Sequence, residues 1–403
     1  MTNRQLFLQH IGQTSEAPLA LEIVKAEGCK LYDVNGAAYI DLIGGISVCN
    51  IGHKHPKVVE AIKKQADDYL HIMVYGELVQ SPQVQYATAL TKHLPKTLNS
   101  VFFTASGSEA TEGAMKLAKR FTKRTQIISF KNSYHGSTQG ALSIMGDEYW
   151  RNAFRPLLPN TMQLNYNSFE DLENITTQTA CVIAETVQAE AGVLLPQNNW
   201  LKALRKKCTE TATLLILDEI QCGFGRNGTL WAFEQFDIVP DVLLLGKALG
   251  GGMPLGAFVA DKKIMDSLSH NPVLGHINTF GGHPVCCAAG LAAFNVLLDE
   301  KLIDAVNRKG ELFVSLLTKG PDGSKPSRPL EIHKVNACGL MIAVYFKDFE
   351  TNKKIIDALI IEGVFTDWFL FASNCLRIAP PLTISEEEIK LACEKIMSVV
   401  AQF

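Results

Sequence analysis

The stretch from Thr213 to Val259 reads TLLILDEIQCGFGRNGTLWAFEQFDIVPDVLLLGKALGGGMPLGAFV. Leu214–Leu217 and Val242–Leu245 are apolar runs too short for helices and unbroken enough to be strands buried on both faces. Each run ends in chemistry. The first delivers Asp218 and Glu219, and the second delivers Gly246 and Lys247. A carboxylate and an amine are thus placed at the carboxyl ends of buried strands, the edge of an open α/β sheet where ligands bind.

An isolated Asp-Glu or Gly-Lys pair would be a turn and a solvated lysine. Here Lys247 sits between Gly246 and the run Gly250–Gly252, which lets backbone approach a ligand closely. A lysine that forms an imine with an aldehyde cofactor, and a carboxylate that keeps a pyridine nitrogen protonated, are the pair pyridoxal phosphate chemistry requires. The composite DEIQCGFGRNG, then PD, then GKALGGGMPLGA resembles the class III aminotransferases, the family of ornithine, acetylornithine and 4-aminobutyrate aminotransferases. The resemblance implies catalytic roles for Lys247, as the Schiff-base lysine, and for Asp218, paired with the pyridine nitrogen of pyridoxal 5′-phosphate. Gln221 would bond the ring hydroxyl.

Upstream, Val101–Ala110 reads as a strand, a small-residue turn and a helix running to about Phe121. Free amides at a helix N-terminus bind anions, so Ser106, Gly107 and Ser108 form the expected phosphate cup. A strand over Thr125–Phe130 leads into KNSYHGSTQG. In the family the aromatic before His-Gly, here Tyr134, stacks on the cofactor. The residue after that glycine is usually an arginine that grips a substrate carboxylate; this chain has Ser137, which offers one neutral hydrogen bond instead of a charged fork. A strand over Cys181–Ala184 ends in Glu185, grouped with the cofactor binders, and is followed by Glu190. Family members place there a glutamate that pairs with a substrate-binding arginine, in an E-P-x-Q-G-E context that is E-T-V-Q-A-E here. The arginine is expected at Arg377, in the family's L-R-x-x-P-P setting. The resemblance also implies that Ser47 and Val48 line the substrate pocket, that Tyr75 reaches toward the neighbouring subunit's active site, and that Thr279 contacts the partner's phosphate. A homodimer with shared active sites follows.

The chain has 403 residues, and 47% of them are hydrophobic, enough for two domains with a large core. Its net charge of −3 and lack of a dense basic run argue for small-molecule partners over nucleic acid or membrane. Ten cysteines without a CxxC pair suggest neither a zinc site nor a disulfide framework. His53 and His55, without a third ligand, are read as loop packing, so no metal is expected. The N-terminus shows no cleavable apolar segment, and a cytoplasmic enzyme is expected.

The expected fold is α/β, a fold type I pyridoxal phosphate-dependent transferase. A large domain with a mixed, mostly parallel sheet would span 51–284, and in it Ser81-Pro82 is expected to start a helix, with Ser81 as its cap and proline at the first helical position. Residues 1–50, an irregular arm and a meander whose first strand is Leu21–Val24, would join 285–403 in a small α+β domain. Within it we expect a long helical pattern from Val285 to about Leu317, a Gly/Pro/Ser-rich loop at Lys319–Pro329 and a last helix capped by Ser385 with Glu388. The function read from this is transfer of an amino group, from an ω-amine or an ornithine- or acetylornithine-like donor, to a keto acid such as 2-oxoglutarate. A pyridoxal phosphate-dependent aminomutase or racemase is the alternative enzyme. A catalytically silent binding protein is disfavoured by Asp218, Gln221 and Lys247 occurring together.

Overall fold

The computed structural model describes residues 1–319 and 331–403. Its centre is a seven-stranded sheet in the spatial order Ser100–Thr104, Gly256–Ala260, Val242–Leu245, Leu214–Asp218, Thr179–Glu185, Gln126–Phe130, Thr161–Leu164. Gly256–Ala260 is antiparallel to both its neighbours, and the other recorded pairings are parallel. The sheet is therefore mixed and mostly parallel. Successive residues of its inner strands go to opposite cores: Leu215, Leu217, Leu243 and Leu245 join one cluster, while Ile216, Val242 and Leu244 join the other. Burial on both faces is why these strands read as continuous apolar runs.

The helix Gly107–Thr122 covers the second face. Ser106 caps it, its hydroxyl accepting from Glu109 N at 3.2 Å. Its inward stripe is of small residues, including Ala110, Gly113, Ala114 and Ala118. A Cβ on Gly113 would lie 2.3 Å from Phe258, so only glycine lets the helix approach the sheet this closely.

The two chain ends meet. The meander Ile23–Glu27, Lys30–Asp33, Ala38–Asp41 is completed by Val364–Phe365, parallel to the third strand, with Ile40 opposite Val364. A second four-stranded antiparallel sheet joins Lys334–Cys338, Met341–Tyr345, Ala372–Ile378 and Trp368–Phe369. Arg226, buried, ties these parts together: it donates to Asn50 Oδ1 at 2.6 Å and to the carbonyls of Leu340 and Pro380. Burial lowers its guanidinium to about 9. The last helix, Glu386–Val400, opens with the expected capping box of Ser385 and Glu388.

Four expectations need correction. The N-terminal arm is not wholly irregular, because Asn3–His10 forms a helix capped by Thr2. Ser81 is the first helical residue, not the cap; Gln80 precedes it in extended backbone, without a side-chain cap bond. The long helical pattern is two helices, Pro284–Asp299 and Val306–Lys319, separated at Lys301, whose φ is 52°. The left-handed region ends a helix whatever the apolar period beyond it. The meander's first strand is Ile23–Glu27 and not Leu21–Val24. The loop expected at Lys319–Pro329 falls, beyond the helix end at Lys319, outside the described residues.

Candidate active site

The parallel strands end together, and their carboxyl ends carry the chemistry. Glu185 and Asp218 are register partners on adjacent strands, and Asp218 is opposite Leu244, three residues before Lys247. Around them lies a cavity of about 250 Å³ whose walls include Ser106, Gly107 and Ser108 on one side, Tyr134, Glu185 and Glu190 on another, and Asp218, Gln221 and Lys247 at the strand ends. Nine residues separated by up to 141 positions in sequence thus face one space, because each follows a strand of the same sheet edge.

Lys247 Nζ donates to Gln221 Oε1 at 2.7 Å. Burial lowers its ammonium from the usual lysine value, opposed chiefly by the charge of Glu190. Its backbone has φ 48°, an uncommon conformation outside glycine that clusters at functional sites. Asp218 is buried and accepts two hydrogen bonds, from Ile220 N at 3.0 Å and, through Oδ2, from His135 Nδ1 at 2.7 Å. Each carboxylate oxygen keeps a lone pair for a ligand. Glu185 is raised to about 7 by burial. It accepts from the backbone N–H groups of Tyr134 at 2.8 Å and Ala189 at 2.9 Å.

Glu190 and Arg377, both buried, form a bidentate pair with two contacts of 2.8 Å. Burial by itself would raise the Glu190 carboxyl, but the adjacent guanidinium outweighs it and holds it below the usual carboxylate range. Arg377 Nε also lies 2.8 Å from Asp367 Oδ1, an ion pair outside hydrogen-bond geometry. The ring of Phe369 is 4.4 Å from the guanidinium carbon. Ser137 is exposed; its hydroxyl lies 3.0 Å from that of Tyr134, and its N–H donates to Ser108 Oγ at 3.1 Å.

Arg377 and Ser137 do not line this cavity themselves but contact lining residues, Glu190 and Tyr134, while Val48, Tyr75 and Thr279 lie away from it. Val48 faces a separate small space with Asn50, Phe224 and Ala248. Tyr75 lines a different groove with Gln83, Phe103 and Asn278. Thr279 is exposed on the surface. Ser47 is buried, and its hydroxyl has no partner among the described residues. His53, set aside as a ligand, bonds Asp41 Oδ2 at 2.7 Å, and no group of three or more metal-capable side chains occurs among the described residues.

Residues without an assigned role also appear. His135 is buried and lines the cavity, and Ile220 packs over Gly107, whose added Cβ would lie 2.9 Å from it. The only local signal for His135 is its place between Tyr134 and Gly136; its partner Asp218 is 83 positions away. Gly136 has φ 125°, and a Cβ there would fall 1.9 Å from Ser108 Oγ, so glycine is needed for the loop to cross the helix start.

The donor set fits a phosphorylated pyridine aldehyde. The Gly107–Thr122 helix points unsatisfied amides of its first turn at the cavity. Asp218 can accept from a protonated ring nitrogen, and Lys247 supplies the amine. Gln221 Nε2 is buried with no partner among the described residues, a donor left over for a ring hydroxyl.

Comparison with known proteins agrees. Residues 11–400 match the family model described as aminotransferase class-III. The acetylornithine aminotransferase of Methanopyrus kandleri is 38% identical over 390 residues, covering 96% of this chain and 95% of that one. Among solved structures, the ornithine aminotransferase of Toxoplasma gondii ME49 superposes with a TM-score of 0.90 at 29% identity, covering 99% of this chain and 94% of that chain. A thermostable (S)-enantioselective omega-transaminase from Thermomicrobium roseum gives 0.89 at 27% identity, covering 100% of this chain and 99% of that one.

Proposed function

The chain belongs to the class-III aminotransferases and is a pyridoxal phosphate-dependent enzyme that takes an amino donor and a keto acid; from that premise we propose that the donor gives up an ω-amino group and the acceptor is 2-oxoglutarate. The observation that carries the donor half is at Ser137. Where the family offers an arginine to a substrate carboxylate, this chain holds two hydroxyls, those of Ser137 and Tyr134, 3.0 Å apart. A hydroxyl pair suits an amine or a neutral polar group better than a carboxylate. An ornithine- or acetylornithine-like donor fits if its carboxylate is recognised elsewhere. Such donors are named for relatives of this chain, and an omega-transaminase is among its structural neighbours.

The acceptor half rests on Arg377. A bidentate arginine is the strongest side-chain receptor for a carboxylate. While no carboxylate is bound, Glu190 occupies its fork; an incoming keto acid exchanges with Glu190 at that fork, so the buried guanidinium always has a partner.

When bound, pyridoxal phosphate supplies the aldehyde carbon that captures the amine and the ring that accepts the electron pair left on the substrate carbon. The amides of Gly107 and Ser108 would hold its phosphate. Asp218, held by His135 Nδ1, would keep the ring nitrogen protonated, and Gln221 Nε2 would donate to the ring hydroxyl. Tyr134 and Ile220 would keep water from the ring. Nζ of Lys247 would be the base: burial lowers its affinity for protons and leaves it able to take a proton from the substrate carbon and return it.

The test is a half-reaction. Holoenzyme mixed with a panel of amines and amino acids, without acceptor, should change its visible absorbance with an ω-amino donor, and 2-oxoglutarate should restore it. Ser137→Arg should then lower KM for α-carboxylated diamino acids by about ten- to a hundredfold, the worth of a charged hydrogen-bonded pair. An unchanged donor preference in S137R would place position 137 outside the donor site and overturn this reading. Racemisation of an optically pure amino acid, or migration of its amino group with no acceptor, would instead establish the isomerase alternative; the relatives reported above are all aminotransferases.

The assembly we propose is a homodimer with shared active sites. Tyr75 and Thr279 do not serve their own chain's cavity, and near them in sequence Val79, Val273 and Phe280 are exposed apolar residues, which suits a surface covered by a partner. Sedimentation of the holoenzyme should give twice the mass of one chain; a fully active single-chain species would contradict it. No helix among the described residues is long and apolar enough to cross a membrane. All ten cysteines are free thiols, which suits a reducing cytoplasm, with recovery in the cytosolic fraction as the check.

A further inference from the structure

The turn that carries Glu190 is fastened at both ends by contacts that the amino-transfer chemistry does not use. At its start, Ala189 N donates to Glu185 Oε2 at 2.9 Å. At its far end the carbonyl of Gly192 accepts two hydrogen bonds, from Tyr345 Oη at 2.8 Å and from Asn336 Nδ2 at 3.0 Å. Asn336 Nδ2 is also 3.1 Å from the Tyr345 hydroxyl, so the three groups form one cluster. Both side chains come from paired strands of the small antiparallel sheet, Lys334–Cys338 and Met341–Tyr345.

At the far anchor and just beyond it the backbone takes up left-handed conformations. Gly192 has φ 82° and Val193 has φ 58°. Val193 is wholly buried, and a β-branched residue in the left-handed region is an outlier that persists only where its surroundings over-determine it. The turn has no slack, since a Cβ on Gly192 would lie 2.3 Å from Tyr345 Oη. Glu190 itself receives Leu370 N on Oε2 at 3.0 Å, and its carbonyl receives Phe371 N at 3.0 Å.

We propose that Tyr345 and Asn336 are positioning residues for Glu190: they hold the strained turn in register, present the Glu190 carboxylate squarely to Arg377, and so set how hard a substrate carboxylate must compete for that arginine. The inference rests on the reading of Arg377 as the acceptor's carboxylate site. With the turn fixed, only the Glu190 side chain can yield. Without the clamp, the turn is held only by its own backbone, the Gln188–Leu194 pair and the Ala189 carbonyl, the two parallel 2.8 Å contacts lose their alignment, and the resting pair weakens.

The test compares kcat and KM for 2-oxoglutarate and for an amine donor lacking any carboxylate. Tyr345→Phe removes one donor to Gly192 with almost no change in volume. KM for 2-oxoglutarate should fall about three- to tenfold, the equilibrium worth of a part-buried hydrogen bond. Both kcat and the KM for the amine should stay within about twofold. Adding Val193→Gly to Y345F removes the left-handed strain, so the turn no longer needs the clamp and the KM should return toward wild type. A Y345F enzyme that loses activity with both substrates alike, or keeps both KM values, overturns the positioning role. Glu190→Gln separates the two levels. If E190Q lowers KM for 2-oxoglutarate while Y345F does not, the clamp alone is wrong; if E190Q leaves it unchanged, Glu190 is not the rival at Arg377 and the acceptor reading fails with it.

Discussion

Lys247→Ala is expected to abolish amino-group transfer, lowering turnover by about four orders of magnitude or more, because in the proposed mechanism one side chain supplies both the covalent anchor and the proton-transferring base. Among the described residues, Lys247 is the only amine lining the cavity. Burial depresses its proton affinity, and its hydrogen bond to Gln221 holds Nζ in place. Neither feature maintains the fold. The Nζ bond goes to Gln221, and Ala248 and Leu249 carry the packing behind it. The variant should therefore fold and still bind cofactor through Asp218 and the helix amides. Borohydride reduction followed by mass spectrometry should find a cofactor adduct on the wild-type chain and none on K247A. Single-turnover absorbance should show no donor-driven change on the time scale of the wild type. A K247A enzyme with wild-type turnover would remove Lys247 from the chemistry.

Asp218→Asn should cost about a hundred- to ten-thousandfold in kcat, the equivalent of about 3–5 kcal/mol for taking away one member of a buried charged pair. The substitution keeps the shape of the side chain and can keep the Ile220 N–H bond at 3.0 Å on a carbonyl oxygen. What it loses is the charge, and with it the acceptor for His135 Nδ1 at 2.7 Å, since an amide nitrogen there would oppose a donor. A ring nitrogen facing a neutral amide binds its proton less tightly, so the ring accepts electrons less readily from the substrate carbon. The effect should lie in kcat, with donor KM little changed, because the interaction strengthens as charge develops on the ring. Cofactor content measured by absorbance after alkaline release distinguishes this from simple loss of cofactor. Undiminished kcat in a fully loaded D218N enzyme would refute the role.

The parts of this molecule that are legible along the chain are those where local chemistry coincides with the tertiary answer. Leu214–Leu217 and Val242–Leu245 are strands because a doubly covered sheet leaves no polar face to interrupt them, and the folded strands lie within a residue of those runs. Ser106 before Gly107 and Ser385 before Glu388 mark helix starts because unsatisfied amides need a nearby oxygen. Where two local signals conflict, reading fails. The apolar period from Val285 to Leu317 continues across Lys301, yet the backbone there turns left-handed and the helix ends. Ser81-Pro82 has the composition of a cap, but the extended backbone at Gln80 moves the boundary by one residue.

The residues of the cavity divide in the same way. Lys247 and Asp218 are identifiable from sequence because each closely follows an apolar strand and stands among glycines or beside a second carboxylate. Sequence alone also brings Ser106 to Ser108, Gln221, Glu190 and Arg377 into view, each through a short motif. It does not say that His135 holds Asp218, that Asp367 is a second anion on Arg377, or that Tyr345 and Asn336 grip the turn carrying Glu190. Nor does it say that Val48 turns away from the cavity. Most of those relations join residues tens to more than a hundred positions apart, and neither partner carries a local mark. Strand patterns and helix caps arise from neighbours along the chain and are written in its order; pairing across the sheet edge and between the two sheets arises from packing, and only the folded chain decides it.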